Sequence, residues 1–208
     1  MPYFLRRSAF EGAGIVRPSA AAALLLTITL TTGAPLAPAR EVGGIDMAEQ
    51  ASVSAGGPAL RLNGAGVRRK LFVAVYAVGL YLPTPTRDPA QVLAMDGPRL
   101  VAMRFLHREV PRDKLVAAWT EGFAANQDPA TLATLQARID RFNALFETLR
   151  EGDTVELAFD PVRKTTGVSI NGTSRGEVPG ADFAAALLRI WVGPSPVSDD
   201  LKAALLGP

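Results

Sequence analysis

The 208-residue chain is 48% apolar and 20% charged, which suits one ordinary domain with a packed core and excludes wholesale disorder. It has no cysteine, which excludes disulfides, thiolate metal sites and a cysteine nucleophile. The formal charge of +2 comes from residues 1–39, where Arg6, Arg7 and Arg17 outnumber Glu11; the rest of the chain is formally neutral and has no Lys/Arg block, so no nucleic-acid partner is expected.

In chain order, Arg6 and Arg7 precede the apolar run Ala20–Leu30, and Ala37-Pro38-Ala39 follows, which is the order of a secretory signal. The run is shorter than the ~20 apolar residues that a membrane span needs; an uncleaved anchor is the plainer alternative. The expectation is a signal peptide over 1–39, bacterial export to a periplasmic or secreted location, and no membrane span in the mature chain. Residues 40–57 are polar and Gly/Ala-rich and predict a flexible leader ahead of one domain over 58–208.

Leu60 and Leu62 followed by Asn63-Gly64-Ala65-Gly66 predict a short strand ending in a turn. Leu71–Leu82 is apolar on both parities and predicts a strand buried on both faces. Asp88-Pro89 pairs an N-cap with proline at the first helical position and starts a short helix to about Met95. Leu100–Leu106 is a further strand. Pro111 opens a helix with Leu115, Val116, Trp119 and Phe123 on one face. Asp128-Pro129 opens another, with Leu132, Leu135, Ile139, Phe142, Phe146 and Leu149 at helical spacing up to Glu151-Gly152-Asp153. Val155, Leu157 and Phe159 alternate as a half-buried strand, and Thr165–Ile170 returns to a tight turn at Asn171-Gly172. Ala181–Val192 is helical, and Ser198 caps a last helix whose first turn carries Asp199 and Asp200. Strands joined by hairpins, with helices in blocks, argue an α+β domain on a largely antiparallel sheet.

Two segments, taken together, resemble the chalcone isomerase superfamily, especially its exported bacterial chalcone-isomerase-like members. One is Leu62-Asn63-Gly64-Ala65-Gly66-Val67-Arg68 running into Val75–Leu82; the other is Ile190-Trp191-Val192-Gly193-Pro194-Ser195-Pro196-Val197-Ser198 with Asp199–Lys202. Val110–Asn126 fits a family helix between them, and the likeness covers roughly residues 58–207. The resemblance implies an open-faced β-sandwich, a large antiparallel sheet with helices packed on one side and a cleft between. Catalytic members cyclise a chalcone to a flavanone; non-catalytic relatives bind fatty acids, an arginine and a tyrosine holding the carboxylate. Carried over by position, the family arginine falls on Arg68 and the polar residue of the next strand on Tyr76. The helix tyrosine and asparagine of catalytic members fall on Leu115 and Gly122, and the late Thr/Ser on Ile190.

Cyclisation needs preorganised donors aimed at the oxygen where enolate charge develops. Leu115, Gly122 and Ile190 supply none. A guanidinium that grips a carboxylate, one phenol and apolar walls suit an amphipathic acid instead. The expectation is therefore a non-catalytic binder of a small amphipathic, fatty-acid-like carboxylic acid, with Arg68 and Tyr76 as ligand-binding residues, no catalytic residue assigned, no cofactor and no metal. An intramolecular lyase with a diverged site, and an envelope interaction module with a closed cleft and an exposed apolar patch, stand as alternatives; no protein partner is indicated. By residue type alone Arg68, beside Arg69 and Lys70, is a solvated arginine and Tyr76 a core tyrosine, with Tyr81 a rival for its role. His107, the one histidine, reads as a surface residue at a strand end, and Trp119, Phe123, Phe142 and Phe146 as core.

Overall fold

The computed structural model describes residues 39–54 and 56–207. The expected signal peptide lies outside the described residues except for Ala39, the first residue of strand β1. Leu36–Pro208 form one compact unit. Among the described residues the strands are β1 (Ala39–Val42), β2 (Ile45–Ala48), β3 (Gln50–Ala51), β4 (Leu60–Lys70), β5 (Val73–Leu82), β6 (Arg99–Phe105), β7 (Glu109–Val110), β8 (Leu149–Arg150), β9 (Thr154–Asp160), β10 (Thr165–Ile170) and β11 (Thr173–Pro179). The helices are α1 (Pro89–Ala94), α2 (Arg112–Asn126), α3 (Pro129–Ala144), α4 (Ala181–Val192) and α5 (Asp199–Leu205).

Seven strands form one antiparallel sheet in the order β11-β10-β9-β6-β5-β4-β3. All five helices pack on one face, over a core that includes Tyr76, Val78 and Leu80 of β5, Met103 and Phe105 of β6, and the helix residues Trp119, Phe142, Phe183 and Trp191. A smaller cluster on the opposite face joins Leu60, Leu62, Ala77, Tyr81 and Leu100 to Met47 of β2. This is the α+β antiparallel sheet expected from the sequence pattern and the open-faced sandwich that the family resemblance implies. The helix starts follow their signals: Asp88 and Asp128 accept from the N–H groups of Ala90 and of Ala130 and Thr131, and Ser198 accepts from Leu201 N–H.

Four expectations are corrected. Residues 40–57 are not a flexible leader throughout: β1 and β2 pair as a hairpin, and β3 adds to β4, with Val42, Ile45 and Met47 covering the second apolar cluster. The Asn63–Gly66 run is not a turn but the middle of β4. The turn comes at Leu71-Phe72, so Leu71 and Phe72 are not the buried start of a strand but lie 89% and 97% exposed at the hairpin tip. The second long helix ends at Ala144 rather than near Leu149, which instead pairs with Val110.

The register of β4 on β5 explains the glycines. Leu62 faces Tyr81 and Gly64 faces Leu80, so Asn63 is an extra residue, a β-bulge. A one-residue bulge reverses which parity faces which side. Leu60 and Leu62 join the second cluster, whereas Gly64 and Gly66 lie under α5. A Cβ on Gly64 would sit 2.2 Å from the Ala204 carbonyl oxygen, and one on Gly66 2.9 Å from Leu201 Cδ1, so glycine here permits close approach of the helix. The bulged Asn63 is itself buried. It donates to Leu205 O at 2.7 Å and accepts from Thr86 N–H at 2.7 Å, tying the end of α5 to the loop after β5. The two segments that carry the family resemblance thus pack on each other.

Candidate ligand-binding cleft

The same bulge aims Arg68. It puts Arg68 on the helix side of β4, directly opposite Tyr76 on β5, and opposed residues of an antiparallel pair project on one face. Arg68 is half-buried and donates to the Arg69 carbonyl oxygen. Among the described residues no carboxylate lies within ion-pair distance of it. Tyr76 is 8% exposed, and its Oη accepts a hydrogen bond from Trp191 Nε1 at 3.2 Å. Burial pushes the phenol up to about 12, against the opposing effects of the Trp191 hydrogen bond and the Arg68 charge. Tyr76 is therefore a neutral phenol at physiological pH, and its own proton has no acceptor among the described residues.

Arg68 and Tyr76 line one cavity of about 400 Å³ between β4–β5 and the helices. That volume lies within the range of about 300–1,000 Å³ usual for small-molecule sites. Leu115, Trp119, Phe105 and Ile190 form apolar walls, and Lys70, Lys114 and Glu121 also border the space. All five positions carried over from the family, Arg68, Tyr76, Leu115, Gly122 and Ile190, meet here. Gly122 has a packing role: a Cβ on it would lie 2.9 Å from Ile190 Cγ2, so α2 and α4 approach closely at this point. On this side the cleft is walled by Leu115 and the Gly122–Ile190 contact, none of which brings a polar side chain.

One rim is held by a residue that the sequence did not single out. Asn126, at the end of α2, donates to Ser195 O at 2.8 Å and accepts from Ser195 N–H at 3.0 Å. Its amide also donates to Gly122 O at 3.0 Å. This clamp fixes the segment Ser195–Val197 that borders the cleft. A buried asparagine on an otherwise apolar helix face is the signal that could have found it.

Tyr81 is no rival for Tyr76. It belongs to the opposite face of the sheet, where its hydroxyl donates to Ala48 O at 2.9 Å. His107 is exposed beyond β6, as expected, and the four aromatic residues read as core are buried, with Trp119 also facing the cleft. A second cavity of about 20 Å³ lies between Arg99, Phe159, Thr166 and α4. It has room for a water molecule and no more. Among the described residues no group of acidic or histidine side chains could hold a metal ion, and no helix is long and apolar enough to cross a membrane.

The solved structure of a fatty-acid binding protein from Arabidopsis thaliana is similar in fold, with a TM-score of 0.60 at 16% identity, covering 78% of this chain and 92% of that one. No curated protein matches the chain in sequence. The sequence model described as chalcone isomerase-like matches residues 39–207 and so takes in the β1–β2 hairpin as well as the sheet and helices. The chain belongs to the chalcone isomerase-like family.

Proposed function

We propose that the chain binds a small amphipathic carboxylic acid, of the fatty-acid type, in the cleft and performs no chemistry on it. The observation that carries this reading is that Arg68, with no carboxylate partner among the described residues, and Tyr76, whose phenolic proton has no acceptor among them, face each other across β4 and β5 and line the same largely apolar cavity. A guanidinium stays charged throughout the physiological range and can grip both oxygens of a carboxylate. The phenol, neutral at physiological pH and more so for its burial, adds a third donor. The walls take the alkyl chain, at about 0.8 kcal/mol for each methylene removed from water. The fatty-acid binding protein of similar fold supports the same ligand class. An isomerase would need donors where Leu115, Gly122 and Ile190 stand. We propose further that residues 1–39, which have the order of a secretory signal, carry the chain out of the cytoplasm.

Competitive titration of a fluorescent fatty acid tests it. A fatty acid is expected to displace the probe at least about tenfold more effectively than the alcohol of equal chain length, because charged hydrogen bonds contribute about 1.5–3 kcal/mol. In Arg68→Met that preference disappears. Equal displacement by acid and alcohol in the unsubstituted protein refutes the proposal.

A further inference from the structure

The β4–β5 hairpin ends in two large apolar side chains that pack on nothing among the described residues. Leu71 is 89% and Phe72 97% exposed, and Val73 beside them is 46% exposed. Lys70 pairs with Val73, so Leu71-Phe72 is a two-residue loop. Such loops favour Asn, Asp or Gly because the backbone must enter the left-handed region. Here Leu71 occupies that region, with φ at 56°, where a bulky side chain is an outlier. The tip thus combines backbone strain with full exposure of apolar surface, and neither helps the fold.

The surroundings indicate what the tip meets. Arg68, Arg69 and Lys70 run into it with no acidic residue between Arg68 and Val73. His107 N–H donates to Val75 O, which sets exposed His107 and Arg108 at the same end of the sheet. Two acids stand near Arg108: Glu109, paired with Arg150 at 3.4 Å, and exposed Glu151, whose N–H donates to Arg108 O at 3.3 Å. The bases Arg68, Arg69, Lys70 and Arg108 thus outnumber the one of these two acids that is left unpaired among the described residues. Two side chains offer a few hundred Å² of apolar surface, well short of the ~800 Å² that each partner gives to a stable protein interface. A lipid surface needs no such area or shape match, and apolar wedges with a basic rim suit its anionic headgroups. Lys70, next to the tip, also borders the cleft.

We propose that Leu71 and Phe72 dock the protein on an anionic lipid bilayer, with Arg69, Lys70 and Arg108 at the headgroups and the cleft mouth turned toward the membrane. Docking itself is independent of the ligand; its use, passage of an amphipathic acid between bilayer and cleft, rests on the function proposed above.

Co-sedimentation of the compact unit Leu36–Pro208 with vesicles tests the proposal, without the apolar run Ala20–Leu30 that would bind lipid for other reasons. Vesicles of phosphatidylcholine and phosphatidylglycerol in equal parts are expected to bind it, pure phosphatidylcholine at least about tenfold less, with the difference shrinking as salt is raised. The variant Leu71→Gly/Phe72→Ser relieves the left-handed leucine, so it is expected to fold with unchanged or higher melting temperature. It should lose vesicle binding by about tenfold or more while keeping fatty-acid affinity in solution. Failure of the unsubstituted protein to bind anionic vesicles, or undiminished binding by the variant, overturns docking. So does self-association that the variant abolishes, which assigns the tip to a second copy. Vesicle binding without fatty-acid affinity upholds docking and removes only the transfer role.

Discussion

Two chemically identical substitutions in the sheet should change stability in opposite directions. In Gly64→Ala the new Cβ meets the Ala204 carbonyl oxygen at 2.2 Å and that of Leu205 at 2.6 Å. Both are backbone atoms, so no side-chain rotation relieves the contact and α5 must lift by about an ångström from β4. Lifting weakens the 2.7 Å hydrogen bond from Asn63 to Leu205 O, worth about 1 kcal/mol. It also partly exposes Leu201 and Leu205, each 2% exposed and each worth about 1.5–3 kcal/mol if fully unburied. The expected loss is about 2–5 kcal/mol, a large share of a domain's stability. In Gly167→Ala the Cβ meets only the Ala158 carbonyl oxygen, at 3.8 Å, an ordinary contact. There the substitution chiefly removes freedom from the unfolded chain and should stabilise by about 0.4–1 kcal/mol. Urea unfolding of Leu36–Pro208 reads both, as shifts of midpoint at constant slope. A Gly64→Ala protein as stable as the parent would refute the seating of α5 on the glycines and, with it, the account of the Asn63 bulge.

Tyr76→Phe leaves the buried Trp191 N–H without its acceptor and should cost about 1–3 kcal/mol in the same assay, besides removing a donor from the cleft. Asn126→Ala frees Ser195 from both hydrogen bonds, and amide exchange should rise across Ser195–Val197 while the sheet stays protected. Asp182, held below the ordinary aspartate value of 3.8 by hydrogen bonds from Arg138, and Asp153, held there by the Arg150 N–H and Asn171, make stability depend on acid. A group depressed on folding contributes fully above its unfolded value and is lost as pH falls through the folded one. Stability should therefore be level above about pH 5 and fall below pH 3.8. Asp182→Asn should reduce the fall by under ~1 kcal/mol, since that pair is largely solvated.

The helices were the most legible part of the sequence, because Asp88-Pro89, Asp128-Pro129 and Ser198 are local cap signals that the structure uses directly. The sheet was less so. A bulge such as Asn63 leaves no local trace, since it is defined by the partner strand, and without it Gly64 and Gly66 read as a turn. Leu71-Phe72 misled for the converse reason: strand propensity and apolarity predict burial, yet the hairpin closes there. The β1–β2 hairpin has too little periodicity to be seen before its partner surface, Leu60, Leu62 and Tyr81, is known. Arg68 and Tyr76 came from the family resemblance alone; what the residues could not show was that a bulge and a shared register would turn both toward Leu115, Gly122 and Ile190. Asn126 stands out only as an asparagine on an apolar helix face, and the partners that it and Trp191 find through long-range hydrogen bonds depend on the tertiary fold.

The central claim is that Arg68 and Tyr76 hold a carboxylate, and a crystal structure grown with a long-chain fatty acid tests it most directly. The account predicts the carboxylate within hydrogen-bonding distance of the Arg68 guanidinium and the Tyr76 hydroxyl, with the chain running past Leu115, Trp119 and Ile190. An acid bound with its carboxylate away from both residues, or a cleft that stays empty at saturating ligand, would contradict it.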